Sequence, residues 1–195
     1  MATTRSPRPL VVLGIDPGTR VIGYGAVVDG ARGPRLFAAG VLRAPAKLGV
    51  PERLAHLRRG LDELMAKLVP TVVVVEQAFA SKNVRSALRI GEGRGVVLAC
   101  AAAIEAEVVE MPPAVAKKAL VGHGAAEKRQ VARMVATVLG IAELDLPLDA
   151  TDALALALAQ VQRRKVPVAP SGRQRALPEA IQRAALAAGR ISRRA

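Results

Sequence analysis

The sequence predicts an α/β fold, a mixed five-stranded sheet of three antiparallel meander strands plus two parallel strands, flanked by helices. Three observations carry this. Apolar runs at residues 9–16, 21–28 and 35–42 are separated by short turns, which makes them a meander. Two later apolar runs, Thr71–Val75 and Glu107–Met111, are each reached through a helical stretch, as a parallel crossover requires. The intervening and following segments repeat apolar residues with helical spacing, so helices cover both faces of the sheet.

The first strand ends in Val11–Gly18, reading Val-Val-Leu-Gly-Ile-Asp-Pro-Gly, an apolar run closed by a tight turn. Asp29-Gly30 signals the hairpin between the second and third strands. In Pro51–Val69, Leu54, Leu57, Leu61, Leu64 and Leu68 mark one face of an amphipathic helix, which Pro70 ends. Thr71–Val75 is β-branched throughout, reads as a strand buried on both faces, and runs straight into Glu76. Lys82–Ile104 is helical but carries Gly91, Gly93 and Gly95, each of which costs about 1 kcal/mol against Ala. Such glycines admit a close partner or ligand, or mark a break between two helices. Pro112-Pro113 opens a helix to Leu120, Gly122-His123-Gly124 is a loop, and Ala126–Leu139 is a further helix. Pro147 precedes the last patterned helix, Asp149–Gln162.

At 195 residues the chain suits one domain with a sizeable core. Apolar residues make up 51% of it, but the aromatics are only Tyr24, Phe37 and Phe79, so the core is aliphatic. The net charge is +13, which makes an anionic polymer the first partner to consider. The charge is uneven: residues 163–195 hold nine Arg or Lys against the single acid Glu179. The expected organisation is a flexible leader over 1–9, a folded domain over 10–162 and a basic, flexible tail over 163–195. The tail either adds non-specific affinity for a polyanion or keeps an Ala-rich segment soluble. Cys100, the only cysteine, lies in an apolar run and reads as a core residue of a reducing compartment, the cytoplasm. No apolar run reaches membrane-span length without Gly or a charge, and the leader with Arg5 and Arg8 lacks the pattern of a signal peptide.

Four carboxylates stand out. Asp16 and Glu76 each sit at the C-terminal end of an apolar strand, where an unpaired charge is costly. If those strands are parallel neighbours, both acids lie at the sheet edge where open α/β sheets bind ligands. Asp149 and Asp152 are three apart and share a helix face. Each also has a local explanation. Asp16 can form the turn, Asp149 can be an N-cap, Asp152 can favour the helix dipole, and Glu76 can pair with an Arg. Taken together they would repel unless protonated or bound to cations. An all-oxygen cluster suits Mg²⁺ or Mn²⁺, and two such ions can activate a water and stabilise the leaving oxygen of a phosphodiester.

These residues lie in four stretches that, in order, resemble the RuvC family of bacterial crossover junction endodeoxyribonucleases. They are Gly14-Ile15-Asp16-Pro17-Gly18, Glu76-Gln77-Ala78-Phe79 with Lys82-Asn83, the Gly124–Gln130 stretch Gly-Ala-Ala-Glu-Lys-Arg-Gln, and Asp149-Ala-Thr-Asp152-Ala-Leu-Ala. The resemblance spans about residues 10–162. It implies a ribonuclease H-like nuclease domain, a homodimer, and Mg²⁺-dependent nicking of two opposed strands of a Holliday junction. It also implies that Asp16, Glu76, Asp149 and Asp152 are metal-binding catalytic acids. The implied partners are four-way junction DNA and the junction-binding and branch-migration proteins of the same pathway.

Phe79 lies three residues beyond Glu76, in a polar Ser-Lys-Asn setting, and either stacks on an unpaired base or covers the sheet edge. Lys82, Asn83 and Arg85 follow it, and Arg89 and Arg94 could line DNA or a dimer contact. The family places essential lysines where Lys117, Lys118 and Lys128 stand, Lys117 and Lys128 matching best; phosphate positioning or charge stabilisation is the expected role. His123 is expected to be non-catalytic. Three other functions compete. Gly14–Thr19 is similar to the first phosphate loop of actin-like and sugar-kinase ATPases, though the chain is short and lacks the second loop. The chain could also be a non-catalytic nucleic-acid module, or a related protein acting on RNA.

Overall fold

Alternation of Val-rich strands with leucine-striped helices produces the expected sheet, with helices on both faces. The structure, a computed structural model, describes residues 10–77, 84–142 and 144–165. The leader over 1–9, Phe79, Lys82, Asn83 and the tail beyond 165 lie outside the described residues, as does the side chain of Arg85. In chain order the elements are β1 (Leu10–Asp16), β2 (Val21–Gly30), β3 (Gly33–Arg43), α1 (Val50–Leu68), β4 (Val72–Glu76), α2 (Val84–Ala103), β5 (Glu107–Met111), α3 (Pro113–Val121), α4 (Lys128–Leu139) and α5 (Leu148–Lys165). The sheet order is β3-β2-β1-β4-β5. β1, β2 and β3 pair antiparallel, and β4 and β5 are added in parallel.

Side chains on a strand alternate between faces, so odd and even positions of β1 and β4 see different neighbours. Leu13, Ile15, Val73 and Val75 pack against Leu57, Leu61, Met65 and Leu68 of α1 and Val97, Cys100 and Ala101 of α2. Val12, Val72 and Val74 pack on the other side against α3, α4 and α5. β4 is buried on both faces, as its β-branched run predicts. The Cys100 thiol belongs to the first of these layers, and burial pushes it up to about 11. No described helix is long and apolar enough to cross a membrane.

Three elements differ in detail from expectation. β2 continues through Gly30, which pairs with Gly33, so the hairpin turns at Ala31 and Arg32 instead of at Asp29-Gly30. Gly33, at φ 104°, supplies the backbone conformation that the turn needs. α2 runs unbroken through its glycines. Gly93 lies against the turn after β1, where a Cβ would stand 2.6 Å from the carbonyl oxygen of Gly18, whereas Gly91 and Gly95 face open space. α4 starts at Lys128 because Glu127 caps it: the Glu127 side chain accepts from the third helical N–H, and Glu127 N–H donates to the Gln130 side chain at 2.9 Å.

α5 is the central helix. From Ala150 to Val161 nearly every residue is buried, which fits a helix apolar on all sides, and Asp152 is a half-buried exception. Its buried Thr151 hydroxyl donates to the Pro147 carbonyl at 3.3 Å. The helix extends to Lys165, and Arg164 pairs with Glu107 of β5 at 3.1 Å.

Candidate active site

Strand parity decides where the first two acids point. Asp16 and Glu76 continue the even-numbered set of β1 and β4, so both project on the side of α3, α4 and α5. Ile15 pairs with Val75 in the parallel ladder, which makes Asp16 and Glu76 the next neighbours along it. They leave the sheet at the C-terminal ends of adjacent parallel strands. α5 brings Asp149 and Asp152 over the same edge from its first turns. Asp149 is the second residue of that helix; the N–H groups of Ala150 and Thr151 donate to the Pro147 carbonyl at 3.0 and 3.1 Å. Its position in the first turn suits a negative charge.

α5 reaches this edge because the sheet beneath it lacks side chains. Gly14 of β1 pairs with Gly25 of β2, and Asp16 pairs with Gly23. A Cβ on Gly14 would stand 2.9 Å from the Ala157 nitrogen, and one on Gly25 would stand 2.6 Å from the Leu154 nitrogen. Both are too close to the helix backbone for any side chain. Glycines at alternate positions of a strand, as in Gly23-Tyr24-Gly25, are the sequence signal of this floor.

The crowding of acids shows in their ionisation. Asp16 is pushed up to about 7, first by burial and then by Glu76, Asp152 and Asp149; Lys128 opposes the rise. Glu76 is likewise raised by burial and by Asp152, with Lys128 and Lys117 opposing. Lys128 Nζ donates to Asp152 Oδ2 at 2.8 Å, and this bond holds the ammonium above its ordinary value. Glu76, Lys117, Lys128 and Asp152 line a cleft whose remaining wall is Pro113, Ala116, Val131, Ala155 and Leu156. The apolar wall lowers the local dielectric, so charges in the cleft act strongly on one another.

The structure thus gathers Asp16, Glu76, Asp149, Asp152, Lys117 and Lys128. Lys118 is exposed and does not line the cleft. His123 is exposed in the turn after α3. Arg94 is turned away, in an ion pair with Glu110 of β5, and Arg89 pairs with Glu92 on α2 at 3.3 Å.

The donor set fits a hard divalent cation. It consists of carboxylate oxygens, two of which are raised by burial first and by the neighbouring acids second, an energetic cost that a cation relieves. Among the described residues no three acidic, His or Cys side chains close into a tight cage.

The family profile described as crossover junction endodeoxyribonuclease RuvC matches residues 12–160, a span that contains all four acids. The chain belongs to the RuvC family. The RuvC of Chlorobaculum parvum is 41% identical over 154 residues, which cover 79% of this chain and 82% of that protein. The RuvC of Chloroflexus aggregans is 43% identical over 146 residues, covering 75% and 89%. Among solved structures, Thermus thermophilus RuvC in complex with a Holliday junction substrate is 34% identical with a TM-score of 0.75, covering 80% of this chain and 95% of that one. Membership in the RuvC family accounts for the ribonuclease H-like sheet, and it sets aside the ATPase reading of the Gly14–Thr19 loop and the reading of the chain as a non-catalytic nucleic-acid module.

Proposed function

We propose that this chain is a Holliday junction resolvase that makes paired, symmetric nicks in a four-way junction and leaves 5′-phosphate and 3′-hydroxyl ends. The observation that carries this reading is the convergence of Asp16, Glu76, Asp149 and Asp152 at one sheet edge of a RuvC-family fold, beside Lys117 and Lys128. The four carboxylates hold divalent metal, Mg²⁺ with Mn²⁺ able to substitute, and two ions per site fit four acids. When bound, the metal supplies an activated water and stabilises the leaving oxygen. The ammonium groups of Lys117 and Lys128 offset the charge of the incoming phosphate and fix its position. Asp16, half-buried and raised to about 7 when no cation is present, couples metal loading to its own ionisation. Ala116, Val131, Ala155 and Leu156 narrow the water-accessible space around the acids.

The substrate is long, so contacts extend past the cleft. Phe79 stacks on an unpaired base, and Lys82, Asn83 and Arg85 engage the strands beside it. Two copies of the chain act together in this reading, because symmetric nicks need two sites. Branch-migration and junction-binding proteins are its partners in recombination and repair, and the cytoplasm is its compartment.

The test is a synthetic four-way junction incubated with Mg²⁺ and either the wild-type protein or Asp16→Asn. Wild type is expected to give paired nicks, and the variant to bind without cutting. Cleavage by the variant at the wild-type rate would refute the assignment of the site.

A further inference from the structure

We propose that Gly23 is a positioning residue: it sets the spacing between Asp16 and Asp149 and thereby matches the site to a small divalent ion. The proposal rests on the metal site proposed above. Its basis is steric. In the antiparallel ladder Asp16 pairs with Gly23, so the two Cα atoms stand side by side and their side-chain directions share one face. On that face Gly23 lies beneath the first turn of α5. A Cβ there would run into the Asp149 carbonyl group and stand 2.8 Å from the Asp149 Cβ. The obstruction is helix backbone, which cannot rotate aside as a flexible side chain would. Any side chain at position 23 therefore lifts the start of α5 and carries Asp149 away from Asp16. Gly14 and Gly25 meet Ala153 and Leu154, further along the helix, and so support the same helix away from Asp149.

A small lift matters more for one cation than for another. Mg²⁺ demands near-ideal octahedral geometry at about 2.0–2.1 Å, whereas Ca²⁺ accepts oxygens at about 2.3–2.6 Å in looser arrangements. Changing a residue that supports ligands in this way costs about 10–100-fold in metal affinity. Gly23→Ala should then weaken Mg²⁺ by that factor and leave Ca²⁺ nearly unchanged. Binding of a junction without metal should change little, because the cleft lysines Lys117 and Lys128 stand on α3 and α4 and not on the displaced start of α5.

The experiment is calorimetric titration of the full chain with Mg²⁺ and with Ca²⁺, run on wild type, Gly23→Ala, Asp149→Glu, the double variant of these two, and Asp16→Asn. Thermal unfolding of each protein and metal-free junction binding are measured alongside. The expected result is a loss of about tenfold or more in Mg²⁺ affinity for Gly23→Ala, with Ca²⁺ affinity within about threefold of wild type. Equal losses for both ions, or no loss for Mg²⁺, would overturn the proposal. Asp149→Glu keeps the charge and the glycine but lengthens the arm by one methylene. It should lower Mg²⁺ affinity in the wild-type background and restore part of it beside Gly23→Ala. If Gly23→Ala does not fold, an unchanged Mg²⁺ affinity in Asp149→Glu alone refutes the spacing role. Failure of the underlying metal site looks different: wild type and Asp16→Asn would then bind Mg²⁺ equally.

Discussion

Raising the pH with Mg²⁺ limiting should tighten Mg²⁺ binding steeply, because Asp16 holds a proton that the ion must displace. The structure sets the size of the effect. Asp16 lies at about 7, against an ordinary value of 3.8, through burial and the nearby charges of Glu76, Asp152 and Asp149. At about pH 5.5 a group of that kind is about 97% protonated, and at about pH 8 about 10% protonated. Apparent affinity should therefore rise roughly thirtyfold across that interval from Asp16 alone, whereas an Asp at its ordinary value would change it by only a few per cent. Glu76, raised for similar reasons, steepens the dependence further. Calorimetry at several pH values, in buffers of different ionisation heat, measures both the affinity and the proton released. A change below about threefold, or no proton release near neutrality, would refute the shared field at this sheet edge.

Three further outcomes are expected. Without divalent metal, the raised Asp16 stabilises the fold below its ordinary value and loses that contribution as pH rises through about 7, a ceiling of about 4 kcal/mol before screening by solvent. Asp16→Asn should therefore unfold at a higher temperature than wild type at about pH 8 in chelator, the gap narrowing as pH falls toward the ordinary value of 3.8; a constant gap would count against this. Lys128→Met removes the cation that opposes the rise of Asp16 and Glu76 and frees Asp152, so cleavage should fall by about 100-fold and its half-maximal pH should move upward. A pH–rate profile that keeps its midpoint would limit Lys128 to substrate binding. Gly95→Ala in α2, where a Cβ meets open space, should stabilise by about 0.5–1 kcal/mol and raise the melting temperature by about 2 °C with cleavage unchanged.

Much of the fold was legible because its signals are local. The β-branched run over 72–75, the leucine stripe of α1 and the proline after it each specify one element without help from the rest of the chain. The two strand-end acids were legible for the same reason, since a carboxylate after a buried run is conspicuous in one dimension. The floor beneath α5 was not legible. That Gly14, Gly23 and Gly25 share a face with Asp16 depends on the β1–β2 register, and their purpose depends on a helix more than 120 residues away in sequence. The local explanation of Asp149 as an N-cap failed because the helix begins one residue earlier, at Leu148, and its opening carbonyl is that of Pro147, which accepts from the Ala150 and Thr151 N–H groups. Lys117 and Lys118 are adjacent in sequence, and only the packing of Ala116 and Leu120 into the core shows that Lys117 turns toward the cleft.

The last position of α5 in the chain has a consequence for how the protein is made. β1 and β4 emerge from the ribosome long before it, carrying two of the four acids, and the sheet edge can form around them early. Asp149 and Asp152 arrive only when roughly three quarters of the chain has been synthesised, and α5 needs its buried length, through Val161, to seat on the glycines. A chain whose synthesis has not reached α5 therefore carries only Asp16 and Glu76 of the four acids. The packing of α5 that closes one layer of the core also brings Asp149 and Asp152 to Asp16, so the full acidic cluster exists only in the folded chain.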